Sequence, residues 1–277
     1  MTPELTKKVD RAIKLLQSIP QDTKIELCYS TGKDSDVILE LAKMSGIPFE
    51  PIYKNTTCDL KGSIAHAREM GVRIVQPKQT FLQLIEKKGL PSRFVRFCCE
   101  VLKEYKIYDR AILGIRRDES SARAKRYLEP ERCYYYKKNE KARHYFPILD
   151  WTIQDEEEFI KERGLKLHPH YYNENGELDL TRRVGCIGCP LASGNGKNEL
   201  KEYPLVLKGR VKAYIKWWNT HPNSRARVLF PTPYNAVFYN LFCRDMKQYN
   251  AMWGDGLFEN KKDAKTFLEE YFNVKLD

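Results

Sequence analysis

The chain has 277 residues and a formal net charge of +11, with 48 Lys and Arg against 37 Asp and Glu. Its 42% hydrophobic and 31% charged residues are ordinary for a globular protein and exclude disorder as the default interpretation. No run approaches the roughly eighteen apolar residues of a transmembrane helix, so no membrane partner is expected. The excess positive charge favours a phosphate-bearing partner, a nucleotide or a nucleic acid; the alternative is a basic surface that only aids solubility.

The N-terminal segment lacks the apolar core of a signal peptide. Leu5, Val9, Ile13 and Leu16 recur instead at helical spacing and predict an amphipathic first helix. Strands are then predicted at 24–29, 48–53, 72–75 and 110–114, and helices at 36–46, 63–70, 80–87 and 97–106. This alternation predicts an α/β fold, with a mainly parallel sheet, helices on both faces and ligand-binding loops at one sheet edge.

The second half of the chain is less regular. Residues 116–143 are basic, contain three consecutive tyrosines, and are interpreted as a long functional loop or a small insertion. Thr152 and Asp155 predict a capped helix through residue 161. A Gly- and Asn-rich stretch at 173–198 precedes a helical region. We therefore predict a domain at 1–200 and a helical C-terminal extension at 201–277.

Within that extension, Tyr214, Trp217 and Trp218 are expected to anchor a core. The last predicted helix covers residues 261–272, where apolar residues again recur at helical spacing.

A polar turn, STGKDS at residues 30–35, separates the first predicted strand from the next helix. Backbone N–H groups and the positive dipole at a helix start suit a phosphate. Gly32 allows close backbone approach or a positive φ, Lys33 supplies charge, and Asp34 fixes the turn or helps hold a metal ion. The turn is not a Walker A loop, because Asp34 follows Lys33 and Leu27 occupies the place of the first glycine. An ordinary strand–helix turn is the alternative.

Two cysteine pairs suggest a metal centre. The chain has 8 cysteines and no export signal, so we expect a reducing, cytoplasmic compartment in which clustered cysteines bind metal or act in catalysis. Cys98 and Cys99 are adjacent, and Cys186 and Cys189 form a C-x-x-C pair. Four thiolates suit a [4Fe–4S] cluster or zinc, and adjacent cysteines favour the cluster. Two unrelated pairs remain the alternative.

The STGKDS turn resembles the PP-loop of the phosphoadenosine phosphosulfate reductase family, whose fold is adenine nucleotide alpha-hydrolase-like. Residues 114–123, GIRRDESSAR, resemble the family's G-x-R-x-x-E-S motif, and 147–155 resemble its P-L-x-D-W-x-x-x-D segment. Residues 168–172 and 183–186 are similar to its substrate-side loop. The resemblance covers about residues 20–195.

This resemblance implies a site for ATP or an adenylylsulfate-type nucleotide, with Mg²⁺ as a further candidate. The residues implied in nucleotide binding are Ser30, Thr31, Gly32, Lys33, Asp34, Ser35, Arg116 and Arg117. Arg123 would pair with further anionic oxygens, since guanidinium groups suit phosphate and sulfate. The residues implied in catalysis are Lys33, Asp34, Arg116 and Arg123. Apart from the resemblance, Cys58 follows the second predicted strand and is a candidate catalytic sulfur carrier, with a plain loop cysteine as the alternative.

The cysteine arrangement resembles the cluster motif of the family's iron–sulfur branch, the adenylylsulfate reductases. It implies a [4Fe–4S] cluster on Cys98, Cys99, Cys186 and Cys189. Lys103 stands where that branch has a lysine near the cluster, and a cation there favours the more negative cluster state.

The chain departs from those reductases at the nucleophilic cysteine of their C-terminal Glu-Cys-Gly motif. Only Cys243 follows Cys189, in an aromatic context typical of a core residue. We therefore expect ATP-dependent adenylation coupled to sulfur transfer, with a nucleic acid as one candidate acceptor. A protein sulfur donor or a thiol reductant is an expected partner. The alternatives are a sulfite-producing adenylylsulfate or phosphoadenylylsulfate reductase and a non-catalytic nucleotide-sensing subunit.

Overall fold

The structure is a computed structural model that describes residues 1–137, 140–253 and 263–276. The chain forms two compact units that interleave along the sequence. The first comprises Met1–Asn55, Asp59–Gln76 and Glu104–Gly185, and the second Thr56–Cys58, Pro77–Lys103 and Cys186–Asp277. The predicted division into 1–200 and 201–277 differs from this one, which groups three earlier segments with the C-terminal helices.

The elements follow the predicted alternation. The strands are β1 (Ile25–Tyr29), β2 (Glu50–Lys54), β3 (Arg73–Val75), β4 (Arg110–Leu113), β5 (Glu131–Lys137) and β6 (Glu140–Tyr145). The helices are α1 (Pro3–Gln17), α2 (Lys33–Ser45), α3 (Ser63–Glu69), α4 (Phe81–Lys88), α5 (Phe97–Leu102), α6 (Ser121–Arg126), α7 (Ile153–Arg163), α8 (Lys197–Glu202), α9 (Pro204–Thr220), α10 (Arg225–Leu229), α11 (Pro233–Phe242), α12 (Met246–Trp253) and α13 (Ala264–Phe272). Within these described ranges, none of the helices combines the length and the apolar character that a membrane span requires.

The first unit is built on a six-stranded sheet of order β3-β2-β1-β4-β6-β5, counted over the described residues. All neighbours pair in parallel except β5 and β6. This confirms the predicted α/β fold and its mainly parallel sheet. The strand order reverses at β1, which lies between β2 and β4. The loops that follow β1 and β4 therefore meet at a switch point, where parallel sheets bind ligands.

The core of the first unit surrounds β1 and α2. Leu27 and Ile112 occupy paired positions on β1 and β4, and both are fully buried. Helix α2 buries Ile38 and Leu41 and ends at Gly46, whose φ of 71° provides the left-handed cap that stops the helix. A helix buried on most of its faces is held rigidly, so its first turn is a stable platform for a site.

The segment 116–143 was expected to be a loop or small insertion, but it contains α6 and the β5–β6 hairpin. The loop alternative was wrong, because alternate residues of the hairpin pack on one face despite the high charge. The Tyr134 ring stacks on His144 with centroids 4.9 Å apart, and Tyr136 Oη lies 2.9 Å from His144 Nε2. Tyr135, between the two tyrosines, is exposed. Residues 138 and 139 of this segment lie outside the described residues.

The described part of the second unit is helical, with α4 and α5 joined by α8 to α13. Tyr214 and Trp218 of α9 are buried as expected, whereas Trp217 is partly exposed. A second aromatic group centres on Phe238, whose ring stacks on Phe242 at 5.0 Å. The predicted last helix, 261–272, is described from Ala264 onward, and residues 261 and 262 lie outside the described residues.

Candidate functional site

The turn at residues 30–35 connects β1 to α2 in the first unit, as predicted. Gly32 has a φ of −88° and is the residue just before α2, while Thr31 takes the left-handed conformation with a φ of 63°. Of the two possibilities that glycine allows here, the positive φ is therefore not the one used by Gly32. A buried non-glycine residue in this conformation stores backbone strain, which is typical of functional turns. Ser35 Oγ donates to the Gly32 carbonyl at 2.7 Å and fixes the turn.

Two other elements reach this turn. The Lys33 N–H donates to Tyr171 Oη at 3.0 Å. Gly114, at the end of β4, lies so close to α2 that a Cβ there would stand 2.9 Å from the Asp34 carbonyl oxygen. Glycine at this position thus permits the close approach that brings Arg116 to the first turn of α2.

Four buried or half-buried charged groups meet at this point. Lys33 Nζ lies 2.8 Å from Glu156 Oε2 and 3.0 Å from Asp34 Oδ2. Arg116 Nε lies 2.8 Å from Asp34 Oδ1 and 3.2 Å from Glu156 Oε2. Lys33, Asp34 and Arg116 were predicted together, and the structure brings them together. We call these three residues and Glu156 the charge centre.

The carboxyl groups of the charge centre differ in their electrostatics. Glu156 is fully buried, and its Oε1 has no hydrogen-bond partner. Burial and the neighbouring Asp34 charge raise the pKa of Glu156 to about 8. Burial also disfavours the Asp34 carboxylate, but Lys33 and Arg116 outweigh it and lower the pKa of Asp34. Asp34 is thus the stable anion of the centre, and Glu156 is its titratable group.

The other two predicted arginines bind elsewhere in the first unit. Arg117 pairs with Asp150 and donates to the backbone carbonyls of Tyr127 and Leu128. Arg123 pairs with Glu119 on the preceding turn. With these contacts Arg117 stabilises the backbone at residues 127–128. Contact of either arginine with a nucleotide stays a prediction.

Glu156 was not among the predicted site residues, whereas its neighbour Asp155 was predicted as a helix cap. Asp155 forms the predicted capping box with Thr152 and binds Lys8 Nζ at 2.6 Å. The box is confirmed, and it points Asp155 away from the charge centre. Glu156 follows Asp155 by one residue, four residues after the N-cap Thr152, and is buried. A carboxylate on the buried face of a helix was the available signal, because such groups require partners.

A second missed network lies beneath α2. His66 Nε2 contacts both Asp36 carboxylate oxygens at 3.1 Å, and the Tyr29 hydroxyl donates to the same carboxylate. His66 and Asp36 are buried, although sequence context gave His66 no role. His168 lies beside this pair, with ring centroids 5.8 Å apart. These contacts connect α2 to β1 and α3, and they therefore hold the first turn of α2 in place.

The second unit gathers five thiols at one pocket. The cysteines that line it are Cys58, Cys98, Cys99, Cys186 and Cys189. They come from all three chain segments of the unit. The cavity has a volume of about 30 Å³ for water-sized molecules and opens partly to solvent. The two predicted pairs are therefore brought together, with Cys58 as an additional member.

The thiols of this pocket touch one another directly. Cys58 and Cys186 are hydrogen-bonded, and this bond together with burial raises the pKa of Cys58. Thr56 Oγ1 lies 3.4 Å from both of these sulfurs. The Cys98 and Cys99 thiols form a second hydrogen-bonded pair. The eight cysteines, which all lie within the described residues, are thiols and form no disulfide there.

The donor set suits an iron–sulfur cluster in its chemistry. Four thiolates are the usual ligands of [4Fe–4S], and five sulfurs line the pocket. Lys103, at the end of α5, lines the pocket as well. In the described part of the chain, no three Cys, His, Asp or Glu side chains stand in metal-binding geometry. The pocket thus matches an iron–sulfur site in the type of its ligand atoms and in their grouping at one place.

The fold and the turn at the β1 switch point define an α/β protein of the PP-loop type. Residues 24–192 match the model of the phosphoadenosine phosphosulfate reductase domain, and the chain belongs to this family.

Curated relatives include an uncharacterized protein of Methanocaldococcus jannaschii, 32% identical over 197 residues that cover 66% of this chain and 46% of that protein. Sulfate adenylyltransferase subunit 2 of Methylorubrum extorquens strain PA1 is 29% identical over 182 residues, 53% of this chain and 58% of that subunit. The chain thus spans about half the length of these relatives.

Among solved structures, the U34-tRNA thiolase NcsA from Methanococcus maripaludis with its [4Fe-4S] cluster has a TM-score of 0.44 and 16% identity, covering 80% of this chain and 81% of that one. The NMN synthetase from Francisella tularensis has a TM-score of 0.36 and 10% identity, covering 97% and 93%. Neither similarity bears on function, since both scores are low.

Proposed function

We propose that the chain binds ATP at residues 30–35 and adenylates a substrate that then accepts sulfur. The observation that carries this proposal is the charge centre at the switch point of a PP-loop sheet. Lys33 and Arg116 are held there by Asp34 and Glu156 at 2.8–3.2 Å. Preorganised cations of this kind stabilise charge that develops on a leaving group.

In the proposed reaction a substrate oxygen attacks the α-phosphorus of ATP. The bond between that phosphorus and the bridging oxygen breaks, and pyrophosphate leaves with its electron pair. Lys33 and Arg116 stabilise the pyrophosphate, while Asp34 positions both cations. Hydrosulfide then attacks the activated carbon, so a carbon–sulfur bond forms while the carbon–oxygen bond breaks and AMP leaves with that electron pair. A persulfide donor attacks in the same way but leaves a disulfide, which a thiol reductant then cleaves to release the sulfur on the substrate. The relatives named sulfate adenylyltransferase subunit 2 support the adenylation step, because their name describes transfer of an adenylyl group.

We further propose that Cys98, Cys99, Cys186 and Cys189 hold a [4Fe–4S] cluster. Such a cluster supplies one-electron redox chemistry when bound. Cys58 lines the same pocket and would remain outside this ligand set. It is therefore the thiol of this pocket that is available to carry sulfur.

A nucleic acid is the acceptor that we propose, on the basis of charge and aromatic exposure. The chain carries an excess of 11 positive charges, and Tyr135 on the β5–β6 hairpin is 66% exposed. An exposed aromatic ring stacks on bases, and cations pair with phosphates. Replacing Tyr135 by Ala should weaken RNA binding by roughly tenfold, as one lost stacking contact implies. Unchanged affinity in a filter-binding titration would remove the hairpin from the proposal.

Sulfonucleotide reduction is the alternative, because the family takes its name from it. That reaction needs a nucleophilic thiol. Cys243 is buried, whereas Cys58 is partly exposed, and a fully buried thiol is inert because a substrate cannot reach it. Adenylation therefore ranks above reduction.

The test uses anaerobically purified protein, with iron and sulfide analysis before the assays. About four iron and four sulfide per chain are expected, with a brown colour. Pyrophosphate release from ATP is then measured with hydrosulfide and total cellular RNA. Asp34→Ala should lower the rate by on the order of 10- to 100-fold, because the cations lose their positions. Asp10→Ala, at an exposed site on α1, is the matched control.

Other products would change the assignment. Sulfite released from adenylylsulfate with a thiol donor would establish the reductase. Nucleotide binding without pyrophosphate or sulfite would indicate a sensing subunit. Colourless protein with stoichiometric zinc would replace the cluster by a structural zinc site.

A further inference from the structure

Arg210 of α9 brings a buried positive charge to the cysteine pocket. The residue is 7% exposed and lines the pocket together with the five cysteines. Its guanidinium group lies 4.7 Å from the Phe81 ring centroid. Nη1 donates to the Gly188 carbonyl at 2.7 Å, and Nη2 donates to the Ile187 carbonyl. Both carbonyls belong to the two residues between Cys186 and Cys189.

No carboxylate in the described ranges forms an ion pair with Arg210, and its Nε has no hydrogen-bond partner. Its neighbours in the pocket are thiols instead, namely Cys58, Cys98, Cys186 and Cys189. A buried charge without a counter-ion is strongly unfavourable. The anion that balances Arg210 must therefore come from the sulfurs of the pocket or from what they hold.

The loop that Arg210 grips is tightly packed on its other side. Gly188 has a φ of 63°, and a Cβ there would lie 2.6 Å from Leu200 Cγ and 2.8 Å from Arg210 Nη1. The Gly188 N–H donates to Glu199 Oε2 at 2.6 Å. Arg210 on the carbonyl side and Glu199 on the amide side thus clamp the C-x-x-C loop.

We propose that Arg210 is the positioning residue of the thiolate site, which both orients the Cys186–Cys189 loop and balances the negative charge of a bound cluster. This inference rests on the proposed cluster. A [4Fe–4S] unit with four thiolates is an anion and becomes more negative on reduction. A buried cation beside it stabilises the reduced state and so raises the reduction potential.

Arg210 lies beyond residues 24–192, the part of the chain that matches the family model. The helical segment therefore supplies a functional group to the cysteines, in addition to packing. Its charge is permanent, since arginine stays protonated in proteins.

The test compares Arg210→Met and Arg210→Lys with the wild-type chain. Arg227→Met is the matched control, because this arginine also lies over an aromatic ring, Trp218 at 5.2 Å, and donates to a backbone carbonyl. The readouts are iron and sulfide content and the midpoint potential, followed by electron paramagnetic resonance in an anaerobic redox titration. Arg210→Gln replaces the Met variant if the latter does not fold, since its amide can still donate to one carbonyl.

We expect the neutral variants to lose iron to a chelator more rapidly than the wild type. At a given potential, the ratio of reduced to oxidised cluster should fall about tenfold, which corresponds to a midpoint potential lower by 59 mV for one electron. Arg210→Lys should keep the wild-type potential but release iron faster, because one ammonium cannot reproduce the fork of donors. Arg227→Met should match wild type. If the neutral variants bound the cluster as wild type does and at the same potential, the proposed role of Arg210 would be overturned, but the cluster itself would not. Wild-type protein without iron would overturn the cluster itself.

Discussion

Replacing Glu156 by Gln should remove a pH dependence from ATP binding while leaving the fold intact. Glu156 is fully buried, and Lys33 Nζ and Arg116 Nε contact one of its oxygens at 2.8 and 3.2 Å. Burial and Asp34 raise its pKa to about 8. Protonated Glu156 leaves one more unit of positive charge in the charge centre, so the phosphates of ATP bind better to the protonated form. ATP affinity should therefore fall as the pH rises through about 8.

The magnitude follows from the protonated fraction. With a pKa of about 8, roughly nine-tenths of Glu156 is protonated at about pH 7 and roughly one-tenth at about pH 9. If ATP binds the protonated form, the dissociation constant increases about tenfold across this interval, which is about 1.4 kcal/mol. Glutamine has the size and neutrality of the protonated acid, so the variant should keep the affinity seen near pH 7 throughout.

Isothermal titration calorimetry from pH 7 to 9 measures this difference. The ionisation of ATP itself affects binding to both proteins equally. The ratio of the two dissociation constants at each pH therefore reports the contribution of Glu156. A variant whose affinity falls as steeply as that of wild type would refute the assignment of the proton to Glu156. Affinity that rises with pH in wild type would reverse the sign of the argument.

Two further predictions concern stability and metal content. Burial lowers the pKa of His144 to about 4, below its ordinary 6.5, so the unfolded chain takes up the proton first as the pH falls. This difference stabilises the folded state by at most about 3 kcal/mol above about pH 6.5, and the contribution is lost as the pH falls toward 4. The free energy of unfolding of His144→Gln, measured with urea, should therefore decrease less over this pH interval than that of the wild type. Cys186→Ser should lose most of the bound iron, whereas Cys133→Ser, at an exposed thiol, should retain it by colorimetric iron analysis. Equal iron in both variants would exclude Cys186 as a ligand.

The regular part of the fold could be predicted because its signals are local. Apolar runs bounded by turn residues located four parallel strands, and the Thr152–Asp155 box located the start of α7. The hairpin at 131–145 was missed because its strands are rich in charge. Its pairing depends on cross-strand packing of Tyr134 and Tyr136 with His144, and such contacts have no signature within one strand.

The residues of the candidate sites could be predicted only where they belong to a recognisable sequence motif. The turn and the cysteine pairs carry their residue types at recognisable spacings, so Asp34 and Cys186 were found. Glu156 and Arg210 lie on ordinary helical segments, and their importance comes from burial beside charges distant in sequence. A single sequence shows the period of a helix, but it does not show which group of another segment faces its buried side.

The division of the chain explains why the cysteine pocket needs the C-terminal helices. The pocket takes Cys58 from 56–58, the adjacent cysteines from 77–103, and the C-x-x-C pair from the segment that starts at residue 186. Three separate segments converge only if something packs them together. Helix α9 does this by stacking on Phe81 through Arg210 and by holding the Gly188 carbonyl. Residues beyond 192 thus determine the environment of thiols that precede them, and a substitution in α9 should alter the cysteine pocket without touching a cysteine.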